Sequence, residues 1–251
     1  MLSKLLQFSP ERCLVISCAT VFEEIQPLMP AGMRSSVLEF GLHVDPIKLR
    51  QRLQLTIDSL PADVEYVLLG YGLCSQAVTG LKSDTRTLVV PRVDDCIALF
   101  LGSVAEYEFQ HKSQPGTLYL TKGWIEAGGS PLENQNDMVK RYGEKKAKAL
   151  LAQMLKNYTR LVFINTGNYE LERYRQSSRD TAAELNLRYE EIKGSNNILR
   201  KLLYGPWDGQ FVVAKPGKTI VFADFRGSEV PSHPEIVQRP SEEKEIRPPP
   251  G

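Results

Sequence analysis

Short apolar runs alternate along the chain with segments of helical period, and this alternation continues through both halves of the sequence. The apolar runs predict strands at 13–17, 36–40, 66–69, 87–90, 117–121, 161–164, 187–192 and 211–214. Asp45 followed by Pro46 predicts a helix start, because aspartate accepts from the first free amide groups and proline fits the first helical position. Strands that are apolar throughout indicate a parallel sheet covered on both faces. The pattern therefore predicts a Rossmann-like α/β fold built on parallel sheet.

The alternation divides into two parts at a loop-like stretch, 111–116. We predict two similar α/β lobes, 1–113 and 114–226, with one continuous sheet as the competing architecture. In the second part, 137–158 has the stripe of a long amphipathic helix, and further helices are predicted at 169–185 and 196–203.

The last part of the chain, 227–251, has a different composition. It holds six prolines, eight charged residues and no aromatic residue. Such a segment cannot bury enough apolar surface to offset the entropy of ordering it. We therefore predict a disordered tail there.

Charge and hydropathy exclude two classes of partner. The 31 Lys and Arg against 30 Asp and Glu give a net charge of +1, whereas a dedicated nucleic-acid binder needs a concentrated positive field. No apolar run approaches the roughly 20 residues of a membrane span, and the N-terminus lacks the features of a signal peptide. We expect a cytoplasmic protein that acts on a small molecule, with neither nucleic acid nor membrane as partner.

Four cysteines lie in the first hundred residues, and three of them follow predicted strands. Cys18, Cys74 and Cys96, called the strand-end cysteines below, come after the first, third and fourth strands. His43 comes after the second strand. Because ligands bind at the carboxyl ends of parallel strands, these four side chains are expected at one edge of the sheet. Cys13 instead begins a strand, which indicates core packing.

Three thiols and an imidazole at one edge are typical of a metal centre. A catalytic zinc keeps one position open for water or substrate, and three cysteines on a [4Fe–4S] cluster leave one iron free. We therefore predict the strand-end cysteines as ligands of zinc or of a [4Fe–4S] cluster, with His43 as a fourth ligand. The alternative for each cysteine is simple burial, since cysteine is among the most buried residue types.

Glycines and charged residues beside these cysteines predict further contacts with a ligand. Gly70 and Gly72 let the backbone pass close to a cofactor, or form a tight turn. Arg92, Asp94 and Asp95 stand between a strand and a helix, where a carboxylate caps the helix or holds a substrate amine or a ligand histidine.

Two more segments after predicted strands carry residues suited to binding. Lys122, Trp124 and Glu126 lie in a Gly-containing loop, although Trp124 is equally suited to filling a seam between lobes. Asn165 opens a turn whose amide groups suit a polar or anionic group, or form an ordinary helix start.

The segments GYGLC, VVPRVDDCIALFLGS, PGTLYLTKGWIE and WDGQFVVAKPG closely resemble the family of domain of unknown function 1638 (DUF1638). The resemblance spans roughly Cys13 to Gly217. It implies no defined activity, but an association of some members with corrinoid-dependent methyltransferase systems, and hence a corrinoid or methyltransferase protein as partner. The positions that carry the resemblance are Gly70, Tyr71, Gly72, Cys74, Arg92, Asp94, Asp95, Cys96, Lys122, Gly123, Trp124 and Glu126.

Three functional hypotheses follow. In the first, the strand-end cysteines hold a metal or cluster, Asp95, Lys122 and Glu126 act as catalytic groups, and a small polar or methylated substrate binds beside them. The residues expected to bind the cofactor are Gly70, Tyr71, Gly72, Arg92, Asp94, Trp124 and Asn165. In the second, the protein is a non-catalytic accessory of a corrinoid-dependent methyltransferase system. In the third, a metal-free cysteine is the nucleophile, with its pKa lowered at a helix start.

Overall fold

A computed structural model describes residues 9–74, 76–127 and 138–226, and its described strands form two sheets. The strands are β1 (Cys13–Cys18), β2 (Arg34–Leu38), β3 (Tyr66–Gly70), β4 (Thr87–Pro91), β5 (Thr117–Leu120), β6 (Arg160–Asn165), β7 (Arg188–Lys193) and β8 (Phe211–Ala214). The helices are α1 (Ala19–Ile25), α2 (Pro46–Asp58), α3 (Cys96–Leu101), α4 (Val104–Ser113), α5 (Lys122–Glu126), α6 (Glu144–Leu155), α7 (Glu172–Glu184) and α8 (Asn197–Tyr204). Short 3-10 helices lie at Pro10–Arg12, Gln26–Leu28, Phe40–Val44 and Phe222–Phe225. The predicted α/β class is confirmed, and each predicted strand is present with its ends shifted by a few residues at most.

The larger sheet has the order β2-β1-β3-β4-β8, and its first four strands are parallel. All six residues of β1 are buried, as expected for a strand covered on both faces. The strand order reverses at β1, because β2 lies on one side of it and β3 on the other. In open α/β sheets such a reversal leaves a crevice at the carboxyl ends of the two strands, where ligands bind. The fold therefore places its crevice beside Cys18 and Gly70.

The smaller sheet has the order β5-β6-β7, and both of its strand pairs are parallel. One continuous sheet, the competing architecture, is not what the described residues form. The division into lobes 1–113 and 114–226 stays a prediction as a domain boundary.

The strand β8 lies within the predicted second lobe but pairs antiparallel with β4 of the first sheet. The sequence pattern placed the strand correctly and its sheet wrongly. Its apolar residues identify a strand but do not specify its partner. The chain turns back after α8, so β8 runs against its neighbour rather than with it.

Three local predictions need correction. The stretch 111–116 is not all loop, because α4 extends to Ser113. The predicted helix 137–158 is helical at 138–142 and again in α6, and Gly143 between them has the left-handed φ of 77°. Position 137 and the predicted tail 227–251 lie outside the described residues.

The segment KGWIE is the short helix α5 rather than a loop. It packs against α1, and an added Cβ at Gly123 would lie 2.3 Å from the carbonyl oxygen of Thr20. Only glycine allows this approach of the two backbones. Trp124 contacts the apolar cores of both sheets, as expected of a side chain that fills the seam between them.

Two helix starts follow the prediction. Asp45 accepts a hydrogen bond from the Lys48 amide at 3.1 Å, and Asp95 accepts one from the Ile97 amide at 2.8 Å. Among the described residues, no helix combines the length and the hydropathy needed to cross a membrane.

Candidate functional site

The strand-end cysteines lie at one edge of the larger sheet and influence one another. Cys18 is 2% exposed, whereas Cys74 and Cys96 are partly exposed. Burial and, to a smaller extent, the charge of ionised Cys18 raise the pKa of Cys74 to about 12, against a backbone hydrogen bond from Gly72 that lowers it. Burial also raises the pKa of Cys96, with added contributions from Cys18 and Cys74. In their ionised forms, the three strand-end cysteines would therefore repel one another.

Backbone contacts between two loops fix Cys74 beside Cys96. The Leu73 amide donates to the Val93 carbonyl at 2.8 Å, and the Cys74 amide donates to the Asp94 carbonyl at 2.9 Å. Cys74 itself has a φ of 46°, an uncommon conformation for a residue with a side chain. Such strain persists only where surrounding contacts determine it, and it is concentrated at functional sites.

Gly70 and Gly72, the two glycines of GYGLC, lie where other atoms pack closely against the backbone. An added Cβ at Gly72 would lie 2.8 Å from the Val93 carbonyl oxygen and 2.9 Å from the Asp95 amide nitrogen. At Gly70 it would lie 2.8 Å from Cβ of Ser17. Gly72 thus lets two backbone segments approach each other next to the cysteines, and Gly70 leaves room for the side chains packed against it. Their predicted contact with a cofactor stays a prediction.

Tyr71 lies behind the cysteines with an unsatisfied hydroxyl. Its side chain is 1% exposed, and no described residue hydrogen-bonds its hydroxyl. Burial raises its pKa well above the usual value, and the thiols of Cys18 and Cys74 add to that shift. Its ring stacks on that of His43 with centroids 6.0 Å apart. A buried polar group without a partner is uncommon and calls for an explanation such as a bound ion or water.

His43 is held as a neutral imidazole. Its Nδ1 lies 3.1 Å from the carbonyl oxygen of Phe40, and because a carbonyl only accepts, Nδ1 carries the proton. Burial lowers the pKa of His43, so the ring stays neutral and Nε2 keeps its lone pair. No described residue hydrogen-bonds Nε2. Metal-binding histidines are commonly oriented by such a bond from the other ring nitrogen.

A cavity of about 420 Å³, called the thiol cavity below, opens in front of these residues. Its lining comes from loops of the larger sheet together with β5, α5 and the region after α6. The lining residues are His43, Cys74, Asp94, Asp95, Cys96, Ile97, Thr117, Leu118, Tyr119, Trp124 and Tyr158. Most of the predicted metal ligands and three of the other predicted site residues thus share one cavity.

Asp94 and Asp95 both line the thiol cavity, and Asp95 is held in place by hydrogen bonds. Asp94 is exposed. Asp95 caps α3 and also accepts a hydrogen bond from the Tyr107 hydroxyl at 3.0 Å. Burial raises the pKa of Asp95. The predicted capping role is confirmed for Asp95, and a catalytic role stays a prediction.

Arg92 does not line the thiol cavity. Its Nε donates to the carbonyl oxygen of Phe211 at 3.1 Å, and its own amide donates to the Gln210 carbonyl at 2.8 Å. Both contacts join the end of β4 to the β8 side of the sheet. Arg92 therefore helps to hold β8 against β4.

Lys122 and Glu126 lie one turn apart on α5, and neither lines the thiol cavity. Lys122 pairs with Glu23 at 2.6 Å, and this hydrogen bond raises the pKa of Lys122. Glu126 accepts from the Tyr174 hydroxyl at 2.8 Å. A loop would have let both side chains turn toward Asp95, but a helix directs them toward α1 and α7. The predicted catalytic trio is therefore not brought together by this arrangement.

Asn165 lies at the end of β6 in a different cavity, of about 390 Å³, together with Glu191 and Lys193. Its Nδ2 donates to Glu191 at 2.8 Å and its Oδ1 accepts from the Gly167 amide at 3.0 Å. Its side chain thus closes a turn, and it does not join the thiol cavity.

Three residues of interest were not predicted from the sequence. Phe40 orients His43, and its position three residues earlier was the available signal, since a 3-10 turn brings such residues together. Tyr107 carries no local signal of its contact with Asp95, because helix α4 brings it there. Glu24 is 0% exposed although charged, and it shares the buried side of α1 with Val21 and Ile25.

Among residues 9–74, 76–127 and 138–226, no group of three or more His, Cys, Asp or Glu side chains is already arranged to hold a metal ion. The donors that line the thiol cavity therefore do not form a preassembled coordination sphere.

The structure is that of an α/β protein with a cavity at the carboxyl ends of its parallel strands. The family described as "Protein of unknown function (DUF1638)" matches residues 37–203, which is more than half of the chain, and the chain belongs to this family. The match includes His43, Cys74 and Cys96, while Cys18 precedes it. Searches of the curated proteins and of the solved structures return no match.

Proposed function

We propose that this chain is a cytoplasmic metal-binding protein whose strand-end cysteines hold the metal, with His43 as fourth ligand or beside an open position. The observation that carries the proposal is that Cys74, Cys96 and His43 line one cavity beside the end of β1, where Cys18 lies. The Nε2 of His43 has no partner among the described residues. Thiolate and imidazole are the ligands that zinc prefers.

The electrostatics of the strand-end cysteines support a bound cation. Each thiolate would raise the pKa of the others. No lysine or arginine among the described residues lowers the pKa of Cys74 or Cys96 appreciably. A metal ion supplies the missing positive charge and deprotonates a coordinating thiol outright. Two of these cysteines, Cys18 and Cys74, raise the pKa of Tyr71, and its hydroxyl has no partner among the described residues. When a metal is bound, this hydroxyl gains a thiolate as its acceptor.

Binding requires the cysteine side chains to turn inward, because the described side chains do not already form a coordination sphere. A cysteine side chain turns about a single Cα–Cβ bond between staggered positions, so the backbone need not move. Coupling between binding and local rearrangement is common in metal proteins.

A single ion is favoured over a [4Fe–4S] cluster. Cys18 is almost fully buried, and only two of the three strand-end cysteines line the thiol cavity. An ion fits between three sulfur atoms, whereas a cluster needs room for four irons and four sulfides. Zinc is therefore the first candidate and the cluster the second.

A bound metal with an open position would polarise a substrate or activate a water molecule. The chain itself supplies the walls of the thiol cavity, with Trp124 fixed edge-on against Phe40 at 5.2 Å. Asp95 supplies a carboxylate held in place by Tyr107. These residues position a small substrate in front of the cysteines.

The raised pKa values disfavour a metal-free cysteine enzyme. A cysteine nucleophile acts as a thiolate, so such enzymes lower the pKa of the thiol. Here burial raises the pKa of Cys74 to about 12, and that of Cys96 is raised as well. The accessory role in a corrinoid-dependent methyltransferase system stays a prediction of the family resemblance.

Elemental analysis of the full chain purified without oxygen tests the proposal. We expect about one zinc per chain in the wild type and a large loss in Cys74→Ala. About four irons per chain, with the broad visible absorption of a cluster, would show that the bound group is a [4Fe–4S] cluster and not zinc. A folded wild-type protein that carries neither metal and takes up neither on reconstitution would overturn the proposal.

A further inference from the structure

We infer that the thiol cavity binds a methylated onium cation, that is, a quaternary ammonium or sulfonium group. This inference rests on the proposed function in taking the thiol cavity as the substrate site, and it specifies the class of substrate.

Aromatic rings form much of the cavity wall. Tyr119, Trp124 and Tyr158 line it together with His43. The faces of aromatic rings attract cations, and tryptophan does so best. Quaternary ammonium groups are commonly recognised in cages of such rings. The seam position of Trp124 between two apolar cores keeps its ring fixed.

The charge of the lining favours a cation. Two carboxylates, those of Asp94 and Asp95, line the cavity. Among the described residues, no lysine or arginine lines it. The guanidinium of Arg160 acts on this wall, because it lowers the pKa of Tyr119 against the larger effect of burial. Arg160 is 3% exposed and pairs with Glu190 at 3.0 Å, so its charge is compensated.

The hydrogen bonds of Asp95 hold its carboxylate in place on the cavity wall. One carboxylate oxygen accepts from the Ile97 amide and the other from the Tyr107 hydroxyl. Asp95 thus offers a fixed negative charge whose oxygens already have donors. A methylated onium group has no N–H to satisfy and needs only a negative field and apolar contact, which Ile97 and Leu118 provide.

The cavity volume suits a small ligand of this kind. About 420 Å³ lies within the range of small-molecule sites. That space accommodates a trimethylated head group with a short chain beside the strand-end cysteines.

Calorimetric titration of the full chain with two matched probes tests the inference. The probes are choline and 3,3-dimethyl-1-butanol, which has the same shape with a neutral carbon in place of the charged nitrogen. We expect choline to bind at least about tenfold more tightly, because only the cation gains from the rings and carboxylates. Equal affinity for both probes, or binding of neither, would overturn the inference. This comparison needs no variant.

A charge-removing variant locates the site. Asp95→Asn keeps the side-chain oxygen that caps α3, and we expect it to weaken choline binding several-fold without changing the affinity for the neutral alcohol. Glu108→Gln, an exposed carboxylate paired with Lys112 on α4, is the matched control and should leave both affinities unchanged. An unchanged choline affinity in Asp95→Asn contradicts the site assigned here.

Metal content measured on the same samples separates the two proposals. Choline selectivity in metal-free protein would contradict only the metal proposal. Metal-loaded protein that does not distinguish choline from the alcohol would contradict only this inference.

Discussion

The imidazole Nδ1 of His43 donates a hydrogen bond to the carbonyl oxygen of Phe40 at 3.1 Å. This single bond fixes the tautomer of the ring, because the carbonyl accepts only from a protonated nitrogen. The 3-10 turn Phe40–Val44 creates it by bringing a backbone oxygen three residues earlier beside the ring. His43 is thereby held with a free nitrogen lone pair at the edge of the thiol cavity.

Replacing this ring tests its role as a ligand. We expect His43→Ala to weaken metal binding by at least about tenfold, since loss of even an outer-shell partner has effects of that size. The measurement is a competition titration against a chromogenic chelator. His111→Ala is the control, because His111 is exposed on α4 and stacks on Tyr107. Equal affinities in the two variants would remove His43 from the proposed site.

The unsatisfied hydroxyl of Tyr71 predicts two opposite effects in Tyr71→Phe. The metal-free protein should become more stable by about 1 kcal/mol, because a buried polar group without a partner is removed. Metal affinity should fall, because the hydroxyl no longer donates to a bound thiolate. Thermal unfolding and the chelator titration measure the two effects.

Tyr189→Phe is the matched control for this prediction. Tyr189 also has a buried hydroxyl without a hydrogen-bond partner among the described residues, but it lies on β7 of the smaller sheet. It should share the gain in stability and leave metal affinity unchanged. A loss of metal affinity of the same size in both variants would show that the effect of Tyr71 is not local.

The approach of the two loops at Gly72 predicts a stability loss in Gly72→Ala. The added methyl would lie 2.8 Å from the Val93 carbonyl oxygen, and backbone cannot yield as a flexible side chain does. We expect a destabilisation of about 1–3 kcal/mol, the range found for overpacking. Urea unfolding measures it. Gly209→Ala, where an added Cβ meets nothing within 4 Å, should change stability little; equal effects at both positions would refute the close approach.

The buried carboxyl of Glu24 predicts a pH-dependent stability. Burial raises its pKa in the folded chain, against hydrogen bonds from Thr166 and Asn168 that lower it. The folded state then binds a proton more tightly than the unfolded state, in which the pKa is about 4.3. The contribution of Glu24 to stability is therefore fully present below about pH 4.3 and is lost as the pH rises through the folded-state pKa.

Glu24→Gln removes this titration, so its free energy of unfolding should fall less than that of the wild type as the pH rises above about 4.3. Urea unfolding at a series of pH values measures the two slopes. Glu23→Gln is the control, because Glu23 is the neighbouring carboxylate and pairs with Lys122 at the surface of α1. Parallel curves for wild type and Glu24→Gln would contradict the raised pKa.

The sequence allowed the strands and their common edge to be predicted, because continuous apolar runs and helix caps such as Asp45 and Asp95 are local signals. It did not allow the pairing of β8 with β4, since strand partners depend on contacts far apart in the chain. The helical state of KGWIE was also missed. Gly123 argues locally for a loop, and only the contact of its backbone with Thr20 explains a glycine within a helix.

The difference between local signals and contacts far apart in the chain also explains which parts of the candidate site could be predicted. The strand-end cysteines were predicted from their positions after strands, which topology alone brings together. Lys122 and Glu126 were grouped with Asp95 from residue type, and the direction of helix α5 separates them. Tyr71 was predicted as a site residue only from the family resemblance. Nothing local in the sequence indicates that its hydroxyl is buried without a partner among the described residues.

The metal content of four single cysteine variants, purified in parallel without oxygen, tests the central claim most directly. Cys13 is the internal control, because it is fully buried in β1 and its thiol lies 3.3 Å from the Ser9 carbonyl oxygen, at the other end of the strand from Cys18. We predict that Cys18→Ala, Cys74→Ala and Cys96→Ala each lose most of the bound metal, while Cys13→Ala retains the wild-type amount. Equal metal content in all four variants, or a folded wild type without metal, would contradict the account.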